Sequence, residues 1–207
     1  MKKKVIIIDN SNLSYTGDDI NGVTLRGTET SIILLAEQFI RAGIDVDFCN
    51  NILGTKVVNG VKYFNKKEID KTKLYNLAIA VSDANQFDNV NALKKAIFSN
   101  SNQPFEKFLR KKQLIPFLRH KPVLVTLCNY QYHKRSFLTS FYGKKMIPIT
   151  VDPKFLNIDI DLNYLPKKKV VYNIRSNRNL DWLLDIWSKK IFPFNKDCEL
   201  YITPNII

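Results

Sequence analysis

The chain has 207 residues, of which 45% are hydrophobic and 12% aromatic, enough apolar material for a folded core and too much for a disordered polymer. Lys and Arg number 32 against 19 Asp and Glu, a net charge of +13, so the partners this composition implies are anionic: nucleotide phosphates, an acidic membrane surface or nucleic acid. The three cysteines, Cys49, Cys128 and Cys198, are widely spaced in or beside apolar runs and read as reduced core thiols, which argues against a disulfide frame or a zinc site.

Val5–Ile8 is β-branched throughout and stops at Asp9-Asn10, the pattern of a central parallel strand covered on both faces. After a glycine-containing loop, Ile32, Leu35, Ala36, Phe39 and Ile40 recur at helical spacing, with Thr28 expected as N-cap, Glu29 in the first turn and Gly43 ending the helix. Ile44, Val46 and Phe48 alternate with Asp45 and Asp47 as a second strand. The run from Val57 to Phe64 reads as a hairpin or edge strand around Asn59-Gly60, Leu77–Val81 as a buried strand ending at Ser82-Asp83, and Lys95–Phe98 as a short strand closed by Ser99–Asn102. A helix is expected from Pro104 to about His120, kinked or shortened by Pro116. Val123–Leu127 reads as a strand, Tyr130–Phe141 as a helix and Met146–Val151 as a strand. An irregular linker over Lys154–Leu165 then leads to a strand at Val170–Tyr172, a helix with Leu180, Leu183, Leu184 and Trp187 on one face, and a strand at Leu200–Ile202. The alternation of strand and helix predicts an α/β fold with a wound parallel sheet over residues 1–165, followed by an incomplete second α/β domain over 166–207, because a lone strand–helix–strand unit cannot cover both faces of its own sheet.

Candidate sites follow from where anions bind such sheets. Gly27 and Thr28, in the run Gly22–Glu29 at a helix entrance, would expose first-turn N–H groups to a phosphate or sugar oxygen; the competing reading is a flexible loop with a glycine cap. Arg175 and Arg178 lie between a strand and a helix, where guanidinium groups grip phosphate oxygens in pairs, against the simpler reading of surface arginines on a solvated turn. His120 and His133 lack neighbours for a metal site or a nucleophilic triad and read as structural or surface residues. Asp159 and Asp161 fall in the linker and read as a polar connection. Lys107, Arg110, Lys111, Lys112, Arg119 and Lys121 are opposed only by Glu106, which fits a solvated helix face and also peripheral contact with acidic lipid headgroups. No run approaches the roughly 18 apolar residues of a membrane span, and no signal peptide is evident, so a cytoplasmic protein is expected. The basic excess is spread along the chain and no aromatic platform for base stacking is visible, which disfavours a nucleic-acid binder.

Four segments in order carry a resemblance: Arg26–Glu29 leading into Leu34–Val46; Val58–Phe64; Ile147–Phe155; and Asn173–Leu184. They resemble the glycine turn with its helix, the "IpnGVDpxxF" crossover and the "sRpxRGLdxLL" donor segment of glycosyltransferases with the two-domain GT-B architecture, related to family 4 and often labelled group 1. The resemblance implies a Rossmann-like acceptor domain over 1–165 and the start, truncated at Ile207, of a nucleotide-sugar donor domain from 166. It implies transfer of a sugar from a nucleotide-diphosphate sugar to the hydroxyl of a glycan or lipid-linked acceptor, with retention and without a bound metal or other cofactor. Gly27, Thr28, Arg175 and Arg178 would hold the donor phosphates, and Asn100 and Asn102 would lie on the acceptor or sugar side, where many relatives have a histidine. Asn179 stands where the family usually has glycine, and Thr150 where its "GVD" has one. The rival class is a non-catalytic relative that binds an acceptor or pairs with a separate donor-binding chain.

Overall fold

The computed structural model of the protein describes residues 2–20, 25–99, 105–148, 167–173 and 178–203. Its contacts divide the chain into two compact units, Met1–Thr150 and Val151–Ile207. The first is an α/β unit built on an eight-stranded sheet: β1 (Lys4–Ile8), β2 (Asp45–Asn50), β3 (Lys56–Val58), β4 (Val61–Asn65), β5 (Leu74–Val81), β6 (Asn91–Ser99), β7 (Val123–Thr126) and β8 (Lys144–Met146). The strand order is β3-β4-β2-β1-β5-β6-β7-β8, and every neighbouring pair is parallel except β3 with β4.

The unbroken apolar run of β1 is explained by its central position. Val5 and Ile7 belong to a core with Ile32, Ile33 and Ala36 of α1 (Gly27–Arg41), whereas Ile6 and Ile8 belong to a second core, on the opposite face, with Phe87, Phe108 and Phe117. Burying each such isoleucine contributes about 2 kcal/mol, so the strand is fixed from both sides. Asn59 and Gly60, both at positive φ, turn the β3–β4 hairpin at the sheet edge. A Cβ at Gly60 would meet Ile40 Cγ2 at 2.9 Å, so the glycine serves the packing of α1 as well as the turn. α1 ends in a Schellman arrangement, Ile44 N–H donating to Phe39 O and Gly43 N–H to Ile40 O, both at 2.9 Å, with Gly43 at φ 76°.

Several expectations need correction. The N-cap of α1 is Arg26, with extended backbone and no side-chain cap, so Thr28 lies inside the first turn. The helix expected from Pro104 to His120 is two helices, α2 (Phe105–Arg110) and α3 (Leu114–His120), and the break comes before the proline. Pro116 is tolerated because it sits in the first turn of α3, where its missing N–H has no intrahelical partner to lose. The helix expected over Tyr130–Phe141 is α4 (Asn129–Lys134) followed by a 3-10 turn, Phe137–Ser140. Arg135 breaks it: its backbone is extended and its buried guanidinium donates to Ser99 Oγ, while Ser136 Oγ caps the following turn by accepting from Leu138 N–H at 3.3 Å. Of the cysteines only Cys49 is in the core; Cys128 is exposed and Cys198 half-buried. The strand expected at Met146–Val151 is instead β8, ending at Met146, with residues 149–151 outside the described residues.

In the second unit β9 (Lys169–Tyr172) and β10 (Glu199–Ile202) pair in parallel, joined through α5 (Leu180–Ile186) and a π-helical turn, Trp187–Ile191. The expected linker, 154–165, lies outside the described residues.

Candidate functional site

Parallel sheets bind ligands beyond the carboxyl ends of their strands, where the winding direction reverses. Here that point lies between β1 and β5, since the chain runs from β1 to β2 on one side and returns to β5 on the other. Asp9-Asn10 and Ser82-Asp83 are the residues that leave these two strands.

A line of polar side chains crosses this point. Lys66, just past β4, donates through Nζ to Asn10 Oδ1 at 2.8 Å; Asn10 Nδ2 donates to Asp83 Oδ2 at 3.4 Å; Gln86 Nε2 donates to the same oxygen at 3.0 Å. Asn85 holds the other Asp83 oxygen from its backbone N–H at 3.0 Å and its amide at 2.7 Å. The open groove beside this line, about 510 Å³, is lined by Asn10, Lys66, Lys67, Ile69, Lys71, Gln86 and Asn89. Neither Lys67 nor Lys71 forms an ion pair among the described residues. Amides, a carboxylate and ammonium groups together suit a ligand that carries hydroxyls and an anionic group.

The turn that presents Asp83 is clamped from beneath. Ser82 has φ 57°, and fully buried Gln113 donates to Ser82 O at 3.3 Å and accepts from Ala84 N–H at 3.3 Å. Neither Gln113 nor Lys66 stands out in the sequence, because each acts across the fold from a segment distant in the chain.

On the α1 side the chemistry is acidic. Asp9, 5% exposed, accepts from Ser11 N–H at 3.0 Å, Ser11 Oγ at 2.7 Å and the buried Tyr15 hydroxyl at 2.6 Å. Burial and the Asp9 charge push the Tyr15 phenol far above its ordinary value, so it acts as a fixed donor. Glu29, 4% exposed, has its pKa raised by burial, with the neighbouring Asp9 charge acting in the same direction, and its Oε2 has no hydrogen-bond partner among the described residues. An unsatisfied buried carboxyl oxygen costs about 1–3 kcal/mol, so it marks a place where stability was not the governing requirement.

The sequence-derived candidates divide accordingly. Gly27 is exposed with open space above its Cα, and Thr28 follows it half-buried in the first turn of α1. Both stand at the same helix entrance as Glu29. Arg178 is exposed in the turn before α5, its backbone carbonyl accepting from the Tyr172 hydroxyl at 2.7 Å. Asn179 takes φ 61°, a conformation glycine adopts freely and asparagine tolerates better than most residues. Arg175, Asn100 and Asn102 lie outside the described residues. His120 is structural: it bridges Asp88, at 2.7 Å, and Lys95, at 2.9 Å, and meets the Phe87 ring edge-on. His133 is exposed.

Among the described residues no group of three or more His, Cys, Asp or Glu side chains is arranged to hold a metal, and no helix is long and apolar enough to cross a membrane. No family model matches the chain, and neither the curated proteins nor the solved structures contain a match to it.

Proposed function

We propose that this protein takes part in sugar transfer, moving a sugar from a nucleotide-diphosphate sugar to an acceptor hydroxyl with retention, the first unit providing the acceptor side. The observation that carries the reading is the polar line Lys66–Asn10–Asp83–Gln86 across the switch point, with Lys67 and Lys71 beside it. Neutral amides and a carboxylate recognise hydroxyls, and the lysines supply charge for a phosphorylated or otherwise anionic partner. The parallel sheet and the ordered motif segments named above support the same assignment. The resemblance assigns Gly27, Thr28, Arg175 and Arg178 to the donor phosphates and Asn100 and Asn102 to the acceptor or sugar side. The guanidinium groups act by stabilising charge that grows on the leaving diphosphate, an interaction stronger in the transition state than in the ground state.

One observation favours a second reading, a non-catalytic binder of hydroxyl-bearing ligands. Asp9 and Glu29, whose Oε2 has no hydrogen-bond partner among the described residues, stand by the entrance of α1, and a carboxylate there opposes a diphosphate at Gly27. Calorimetric titration with a panel of uridine, guanosine and adenosine diphosphate sugars, paired with a labelled-donor transfer assay, separates the two. Sugar transfer predicts heat with at least one donor and a labelled product, and a loss of about tenfold or more in affinity for the anionic partner when Lys66→Ala and Asn10→Ala are combined. Absence of both heat and product with every donor overturns it in favour of the binder.

A further inference from the structure

The second core surfaces in an unusual way. Its aromatic rings form a ladder from Phe108 to Phe117 at 5.2 Å, on to Tyr142 at 5.2 Å, then to Phe141 at 5.3 Å and Phe137 at 5.5 Å. The first two rings are buried, whereas Phe141 is 59% and Phe137 70% exposed. α3 joins the same ladder through the Tyr142 hydroxyl, which donates to Leu118 O at 3.4 Å. Leu138, Leu109, Ile115 and Leu118, on these same elements, are exposed as well. Isolated exposed apolar side chains are ordinary on a protein surface; six on two adjoining helices and one turn are not.

The charge around them is equally one-sided. Residues 105–121 hold six Lys and Arg against Glu106 alone. Arg119 is engaged by Asp88 at 3.0 Å, but Arg110, Lys111, Lys112 and Lys121 form no ion pair among the described residues. Lys112 and Lys121 sit at φ 54° and 49°, left-handed positions that follow the ends of α2 and α3.

We propose that α2, α3 and the 137–141 turn form a docking surface for an anionic lipid bilayer, with Phe137, Leu138 and Phe141 entering the headgroup–acyl boundary and Arg110, Lys111, Lys112 and Lys121 meeting lipid phosphates. Aliphatic and phenylalanine side chains bordered by flexible cations match that interface, where apolar burial and attraction to acidic lipids add. A second copy of the chain is disfavoured as the occupant, since the patch would bring like charges together. This surface rests on its own residues and stands apart from the sugar-transfer reading, which can fail without affecting it.

Co-sedimentation of the full chain with vesicles of phosphatidylcholine alone, or mixed with phosphatidylglycerol, tests it. Binding to the mixed vesicles only is expected, weakening with added salt. Phe137→Ser with Phe141→Ser, and separately Lys111→Glu with Lys112→Glu, should each lower vesicle partitioning about tenfold or more while circular dichroism and thermal midpoint confirm the fold. The proposal is overturned by equal binding to both vesicle types, by no binding to either, or by full partitioning of both double variants. Tight RNA binding that the serine variants leave intact, without vesicle binding, would reassign the surface to nucleic acid. Concentration-dependent dimerisation abolished by the serine variants would reassign it to a second copy.

Discussion

The two ends of the main sheet each hold a buried carboxylate beside a tyrosine, yet they are finished differently. Toward the amino end, Asp47 of β2 accepts from Lys73 Nζ at 2.5 Å and the Tyr75 hydroxyl at 2.7 Å, and Lys4 Nζ lies 3.5 Å from its other oxygen. Both oxygens are matched by cations or a hydroxyl. At the carboxyl end Asp9 is comparably bonded, but Glu29 beside it keeps one buried oxygen without a donor among the described residues. A closed network only holds strands together, whereas an open one leaves a polar atom for something else to complete. The contrast separates a scaffold from a site within a single sheet.

Removing the closed network should have the largest effect. Asp47→Ala leaves the buried Tyr75 hydroxyl and the half-buried Lys73 without their acceptor, a loss of about 3 kcal/mol. For a chain of this size that lowers Tm by roughly 6–12 °C in a calorimetric scan. Ligand affinity should be unchanged; a variant that keeps its Tm but loses binding would invert the contrast. Tyr15→Phe comes next. It keeps the ring packed edge-on against Phe48, 5.7 Å away, and deletes one donor to Asp9, costing roughly 1.5 kcal/mol in chemical denaturation. If the carboxyl end is the site, this smaller loss of stability should be accompanied by weaker binding of whichever ligand titration identifies.

How much of this was legible in the sequence follows the range of the interactions. The β-branched run stopping at Asp9-Asn10, the Asn59-Gly60 turn and the Gly43 helix end are written within a few residues, and each forms where its local chemistry requires. Asp47 illustrates what was hidden. Alternating with Val46 and Phe48, it reads as a solvent-facing strand residue, but a sheet covered on both faces has no wet side at β2, and Lys73 and Tyr75 reach it from β5 and the turn before it. The helix break at Lys111–Gln113 is invisible in the local sequence for a similar reason: Gln113 is drawn inward by Ser82 O and Ala84 N–H, partners some 30 residues away. Of the site, the strand ends Asn10 and Asp83 could be read from where the apolar runs stop, whereas Lys66 could not, because only the parallel pairing of β2 with β4 brings it there.

The smallest effect has the most informative sign. Burial raises the Glu29 pKa above that of the unfolded chain, with Asp9 reinforcing the shift, so the native state holds this proton more tightly than the unfolded state does. The stabilisation that follows is complete below the unfolded-state value and is lost as pH rises through the folded-state value, opposite to the behaviour of a salt-bridged carboxylate. Glu29→Gln keeps the shape of the protonated acid and removes the titration. It should therefore raise Tm near neutral pH, leave it almost unchanged in mild acid, and flatten the slope between the two. A ligand that donates to Oε2 would reverse the benefit, because it binds the carboxylate and pulls the pKa down. Glu29→Gln that is more stable without ligand yet gains less Tm than the parent when ligand is added would identify the unpartnered oxygen as the point of attachment; equal gains in both proteins would leave Glu29 as a buried acid with no part in binding.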